Sequence, residues 1–114
     1  MPEKPEPRVY TEEEVRKMFL EHVWTLVQFW ENESRQPDVR AKLGGLAFSI
    51  LATLDGSSIG IPAFIVAPHP HPSDKAFHSD EGRNYFPENH KAKVQDIAGS
   101  LHEEFHNHDP KRPA

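Results

Sequence analysis

A strongly marked amphipathic helix near the N-terminus most constrains how this chain can fold. Thr11 and Glu14 have the spacing of a capping box, in which each side chain accepts a hydrogen bond from the other residue's backbone N–H. Acidic residues fill the first turn, where the helix dipole favours them. Apolar residues then recur at helical spacing, namely Val15, Met18, Phe19, Val23, Leu26, Phe29 and Trp30. These features predict a helix from Thr11 to about Asn32.

The same helix carries a second apolar flank. Leu20, Trp24 and Val27 are spaced i, i+4, i+7 and lie away from the main stripe. A helix packed on one side only would place polar residues there. Either the chain's own residues cover this flank, or it is an interface to a second copy or another protein. Trp is a favoured interface anchor, which makes Trp24 the centre of the second interpretation.

Two further elements are predicted in the middle of the chain. Apolar residues from Val39 to Leu54 fit a second helix that Asp55 and Gly56 would end, although LAFSILATL is also compatible with a strand. The segment 61–67, IPAFIVA, has the composition of a short strand. Because one short strand is not stable alone, its partner would come from the following loop or from another copy.

The C-terminal half completes the predicted fold. Residues 68–92 are polar and contain several prolines, which is typical of a long structured loop. Apolar residues then mark a C-terminal helix: Val94, Ile97, Ala98, Leu101 and Phe105. We predict an α+β fold that is mostly helical, with two long helices, a short strand element, the loop and the C-terminal helix. A single domain over 10–107 is expected between disordered tails at 1–9 and 108–114.

Composition narrows the classes of function. The chain has no cysteine, which excludes disulfides, thiol nucleophiles and cysteine-ligated metals. Its 13 Lys and Arg residues are scattered among 18 Asp and Glu residues, and the net charge is −5, so we expect no clustered positive face for nucleic acid. No apolar run approaches the roughly 20 residues of a membrane span. We expect a cytoplasmic protein that binds neither nucleic acid nor membrane.

One motif points to metal chemistry. His102, Glu103 and His106 have the H-E-x-x-H spacing of metalloprotease helices, in which two histidines grip zinc and the glutamate activates water. Only eight residues follow His106, whereas familiar zinc proteases take a third ligand further downstream. At about 100° per residue, Glu103 would point away from the helix's apolar stripe. A solvated polar flank, a metal pair without catalysis and a hydrolytic centre therefore all stand as interpretations, and the first is favoured.

Two other motifs have both a chemical and a plain interpretation. His69 and His71 in the HPHP stretch would add ligands to the helix pair, but X-Pro segments also form simple extended surface chain. Residues 56–60 match G-x-S-x-G, the nucleophile elbow of esterases. That elbow requires a preceding strand and a following helix, whereas here a predicted helix precedes it. We therefore interpret 56–60 as a turn.

The segments GLAFSILATLDG (45–56) and DIAGSLHEEFH (96–106) resemble stretches of small uncharacterised bacterial and phage proteins. The resemblance covers the middle and C-terminal half of the chain and implies no activity. It implies that the H-E-x-x-H string is a packing feature of the last helix.

Together these observations predict a small acidic protein-interaction or regulatory module. It would need no cofactor and would act on a protein partner or through self-association as a homodimer, using Leu20, Trp24 and Val27. Enzyme activity is left open, and a non-enzymatic role is favoured. The alternative is a small His-rich metal-binding protein that holds zinc through His102 and His106 with His69 or His71, and whose most demanding form is a hydrolase with Glu103 as the base.

Overall fold

The computed structural model describes residues 7–35, 37–86 and 95–111. Its helices are α1 (Glu12–Glu31), α2 (Val39–Leu54), α3 (Asp74–Asp80) and α4 (Leu101–Glu104), and a 3-10 turn at Phe105–His108 follows α4 directly. The contacts divide the chain into two compact units, Met1–Leu46 and Ala47–Ala114, with the boundary inside α2.

Helix α1 forms as its sequence predicts. The Thr11 hydroxyl accepts from the Glu14 backbone N–H at 3.2 Å, and the Glu14 carboxylate accepts from the Thr11 N–H at 3.0 Å. Arg8 adds an ion pair to Glu14 at 2.7 Å. The helix ends at Glu31 with Asn32 as its C-cap, as predicted.

In the unit Met1–Leu46, the end of α1 packs on the start of α2. The Trp30 indole lies so close to Gly45 that a Cβ there would be 2.6 Å from its ring atoms. Lys42 Nζ donates to the Glu31 carbonyl at 2.9 Å. The Asp38 carboxylate accepts from the Ala41 N–H at 3.0 Å, which caps the start of α2. The helical interpretation of Val39–Leu54 is confirmed and the strand alternative is wrong.

The predicted α+β class is wrong, because the described residues contain no strand. Segment 61–67 is irregular, and its backbone groups bond to partners other than a strand. The Phe64 N–H donates to the carbonyl of Leu54 at the end of α2. The Val66 N–H donates to the Asp96 carboxylate at 2.8 Å, and the Val66 carbonyl accepts from the Ile97 N–H at 2.7 Å. Apolar β-branched composition therefore gave a false strand signal where side-chain and helix-end partners were available.

The C-terminal helix is shorter than its apolar pattern predicted. It begins at Leu101, while Ile97 and Ala98 lie in the turn before it. Gly99 has a φ of +121°, which is outside the helical region and ends any continuation from residue 98. Val94 lies outside the described residues.

The predicted loop 68–92 contains helix α3 in its described part. The Asp74 carboxylate accepts from the His71 N–H at 2.8 Å, whereas Ser73 makes no side-chain cap. The predicted single domain over 10–107 with disordered tails at 1–9 and 108–114 stays a prediction. In the ranges described above, none of the helices has both the length and the apolar character needed to cross a membrane.

Candidate functional site

The first candidate site is the second flank of α1, which we call the Trp24 flank (Leu20, Trp24 and Val27). The Trp24 side chain is 68% exposed and Leu20 is 52% exposed, while Val27 is half-buried. Most of the main stripe of the same helix is half-buried, including Phe19, Val23, Leu26 and Trp30, whereas Phe29 is 51% exposed. The two tryptophans of α1 therefore differ, because Trp24 faces solvent while Trp30 packs on Gly45.

Charged residues surround the Trp24 flank. Lys17 lies one heptad before Trp24 and Glu31 one heptad after it. The Lys17 side chain is 76% exposed, and its closest acidic group is Glu21 at 3.9 Å. An exposed pair at that distance contributes little to stability, so Lys17 stays accessible to a partner's charge.

The second candidate site is centred on the carboxylate of Asp55, which follows the end of α2. One oxygen accepts from the Gly99 N–H at 2.6 Å. The other accepts from the His102 N–H at 2.8 Å and from His102 Nδ1 at 2.5 Å. The Asp55 side chain is only 1% exposed and His102 is 20% exposed. Asp55 therefore caps the start of α4 from a distance, since the local N-cap residue, Ser100, makes no such bond.

Hydrogen bonding keeps this carboxylate charged. Burial raises the pKa of Asp55, but the His102 side chain and the N–H groups of His102, Gly99 and Leu101 outweigh burial and lower the pKa to about 2. A carboxylate in that state only accepts hydrogen bonds. His102 therefore donates its Nδ1 proton, and in the neutral ring Nε2 carries the lone pair.

Phe48 on α2 brings the two histidines of the H-E-x-x-H string together. Its ring stacks on His106 with centroids 5.5 Å apart and an interplanar angle of 19°. It meets His102 edge-on, also at 5.5 Å. Both imidazoles thus pack on one aromatic ring.

Among the described residues, the other proposed ligands do not join this pair in a metal site. His71 Nδ1 lies 2.8 Å from the Ser73 hydroxyl at the start of α3, where it organises a local turn. His69 and Glu103 are exposed. Within the three described ranges, no group of three or more His, Asp or Glu side chains is placed to hold a metal ion. The Asp55–His102 pair does resemble the carboxylate–histidine pairs that orient metal ligands, but the structure shows only its Nδ1 contact with Asp55.

The G-x-S-x-G string at 56–60 directly follows a helix, as predicted, and forms turns. Ser58 Oγ lies 3.1 Å from the hydroxyl of Thr53, which itself donates to the Ser49 carbonyl at 2.9 Å. Thr53 is the one fully buried residue in the described part of the chain. Ser58 thus lies against a buried hydroxyl, in a turn that follows a helix and not the strand that a nucleophile elbow requires.

Sequence reasoning missed the two aspartates that organise the unit Ala47–Ala114. Asp55 was interpreted as a helix stop, and Asp96 was not singled out. Asp96 Oδ1 accepts from the N–H groups of Val66 and Ala98, at 2.8 and 2.9 Å. No local pattern pointed to either role, because the bonds of Asp55 to Gly99 and His102 join residues more than 40 positions apart.

No protein-family model, curated protein or solved structure matches the chain.

Proposed function

We propose that this chain is a small acidic module that acts by binding a protein surface through the Trp24 flank, without catalysis and without a cofactor. The observation that carries the proposal is the exposure of Trp24 and Leu20 side by side on a 20-residue helix. Contiguous apolar side chains that face solvent commonly mark an interaction site. The main stripe already gives α1 a packing face, so the flank is not needed for that purpose.

The chemistry of the flank suits a protein partner. An indole contributes large, rigid apolar area together with one N–H donor, and such residues supply much of the binding free energy at interfaces. The charge pattern argues against nucleic acid, since α1 carries five glutamates and only two basic residues. A cytoplasmic location belongs to the same proposal and rests on the absence of cysteine from the sequence.

Site-specific photo-crosslinking tests this proposal in cells that express the full chain. A photoreactive residue at Leu20 reports on the flank. The same residue at Thr25, which is exposed and lies about 130° around the helix from the centre of the flank, is the matched control. We expect a discrete protein adduct from position 20 only, and we expect Trp24→Glu to abolish it. Equal labelling at both positions, or none at position 20, would overturn the proposal.

A further inference from the structure

Two charged residues, Lys17 and Glu31, lie beside the Trp24 flank and indicate what kind of partner would fit it. Lys17, Trp24 and Glu31 are seven residues apart, so on a straight helix they fall within about 20° of one line. Leu20 and Val27 form a second line about 50° away. Together the two lines make a short a/d seam of the kind that packs against another helix. The line through Trp24 has a basic residue, Lys17, on its N-terminal side and an acidic residue, Glu31, on its C-terminal side.

We propose that the flank binds the same flank of a second copy of this chain, with the two α1 helices antiparallel and their Trp24 side chains facing at the centre. This inference rests on the proposed function and deepens it by naming the partner. A two-fold axis at Trp24 places each residue opposite the one equally far on the other side of the centre. Lys17 of one copy then faces Glu31 of the other, and this pair occurs twice in the dimer.

The apolar residues fit the same arrangement. Leu20 lies four residues before Trp24 and Val27 three residues after it, so at 1.5 Å per residue they sit about 6 and 4.5 Å from the centre. Reversal of the second helix brings its Val27 to nearly the same height as the first copy's Leu20. In this arrangement Trp24 of one copy contacts Trp24 of the other. Leu20 of each copy lies opposite Val27 of the other.

A parallel pair of the same helices is disfavoured by charge. It would place Lys17 against Lys17 and Glu31 against Glu31, and like charges across a helix pair reduce its stability. Three apolar side chains per copy cover less area than a standard protein–protein interface. The dimer is therefore expected to be weak, dissociating in the micromolar range or above.

Sedimentation equilibrium on the full-length chain, from about 1 to 500 µM, tests the arrangement. Lys17→Glu places two glutamates opposite each other at both ends, and Glu31→Lys does the same with lysines. Each is expected to weaken the dimer by about tenfold or more. A 1:1 mixture of the two variants restores both ion pairs, so it should form a heterodimer of at least wild-type stability. Arg83→Glu, an exposed site in the other unit, controls for net charge and should leave the dimer unchanged.

The possible outcomes test the antiparallel dimer separately from the proposed binding of a protein through the Trp24 flank. Weakening by both single reversals with recovery in the mixture supports the antiparallel dimer. A wild-type dimer that is insensitive to both reversals overturns this arrangement. A chain that stays monomeric throughout overturns self-association altogether. If the photoreactive residue at position 20 then crosslinks to a different protein, the proposed function stands with that protein as the partner. If it crosslinks to nothing, the dimer and the proposed function both fail. Circular dichroism checks that the exposed substitutions leave the helices intact.

Discussion

In the unit Met1–Leu46, the side chains that cap the helices bond to neighbours within a few residues, whereas in Ala47–Ala114 two aspartates bond to segments far away in the sequence. The Thr11–Glu14 capping box spans three residues. Asp96 reaches 30 residues back to Val66, and Asp55 reaches 47 residues forward to His102. The helix caps of the first unit are therefore local hydrogen bonds, while the second unit orders its irregular chain with buried or half-buried carboxylates.

The difference explains where each unit is sensitive to substitution. A local cap influences one helix end, and its loss frays that end. A carboxylate that accepts several N–H groups from a distant segment holds that segment in place, and its loss leaves several donors without a partner. We therefore expect substitutions of Asp55 or Asp96 in the second unit to lower stability more than substitutions of the helix-capping residues in the first unit.

The largest effect should come from Asp55→Asn. The amide keeps the size of the side chain but loses the charge and one acceptor oxygen, so we expect the free energy of unfolding to fall by about 3 kcal/mol. Urea denaturation measures this loss. Hydrogen exchange should speed up at the Gly99 and His102 amides while α1 amides keep their protection. Asp80→Asn, at an exposed site, should change stability by less than about 0.5 kcal/mol. An equal loss of stability in both variants would contradict the role of Asp55 in holding the segment 99–102.

Acid should remove the same stabilisation. The pKa of Asp55 is about 2 in the folded chain, against an ordinary value of 3.8, because hydrogen bonds from His102 and Gly99 favour the charged form. A lowered folded pKa means that the contribution is complete above about pH 4 and disappears as the pH falls to about 2. The stability difference between wild type and Asp55→Asn should shrink over that window. A difference that stays constant from pH 6 to pH 2.5 would contradict this assignment.

The two adjacent glycines of α2 provide a test of packing in the first unit. A Cβ at Gly45 would lie 2.6 Å from the Trp30 ring, while one at Gly44 would meet nothing within 4 Å. Gly45→Ala should destabilise the chain by about 1–2 kcal/mol because the indole must move. Gly44→Ala should stabilise it by about 0.5–1 kcal/mol through helix propensity. Thermal melts of both variants measure the contrast, and the same sign at both positions would show that Trp30 does not pack on Gly45.

Loss of the local cap should have a smaller effect. Thr11→Ala removes the hydroxyl that accepts from Glu14 and should lower stability by about 1 kcal/mol. Thr25→Ala, in the middle of the same helix, removes a hydroxyl bonded only within its own turn and should cost nothing. Urea midpoints compare the two. The contrast between the units breaks down if Thr11→Ala costs as much as Asp55→Asn.

Zinc should have the smallest effect of all, because His102 and His106 bring no third ligand with them in the described part of the chain. Elemental analysis of untagged protein should find no stoichiometric zinc, and added zinc should leave the melting temperature unchanged. About one zinc per chain, lost in His106→Gln while the Asp55–His102 bond remains, would mean that the second unit is held by a metal as well. That result would promote the metal-binding alternative.

The first unit was largely predictable from the sequence, and the second was not. The bounds of α1, its capping box, and the extent of α2 all follow from signals within a few residues. The false strand at 61–67 shows the opposite case. Its apolar composition correctly indicated a segment that contacts other parts of the protein. Composition does not say whether a strand, a helix end or an aspartate will accept hydrogen bonds from its N–H groups.

The candidate sites divide in the same way. The Trp24 flank could be identified because helical periodicity assigns residues to faces, and the structure adds only that Leu20 and Trp24 are exposed. The role of His102 could not be identified, because H-E-x-x-H describes spacing along one segment while the bond that orients the imidazole comes from Asp55 on another.

By itself the sequence determined helix α1, where it begins and ends, and which of its faces are apolar, because caps and helical period are properties of neighbouring residues. For α2 it favoured a helix but left a strand open. Only the tertiary structure decided that Asp55 and Asp96 bond to distant backbone N–H groups in the second unit. It also decided that the Phe48 ring contacts both His102 and His106. Those contacts join residues far apart in the chain, and each depends on how a carboxylate or a ring is buried. Burial depends on the packing of the whole unit, and no local pattern specifies it.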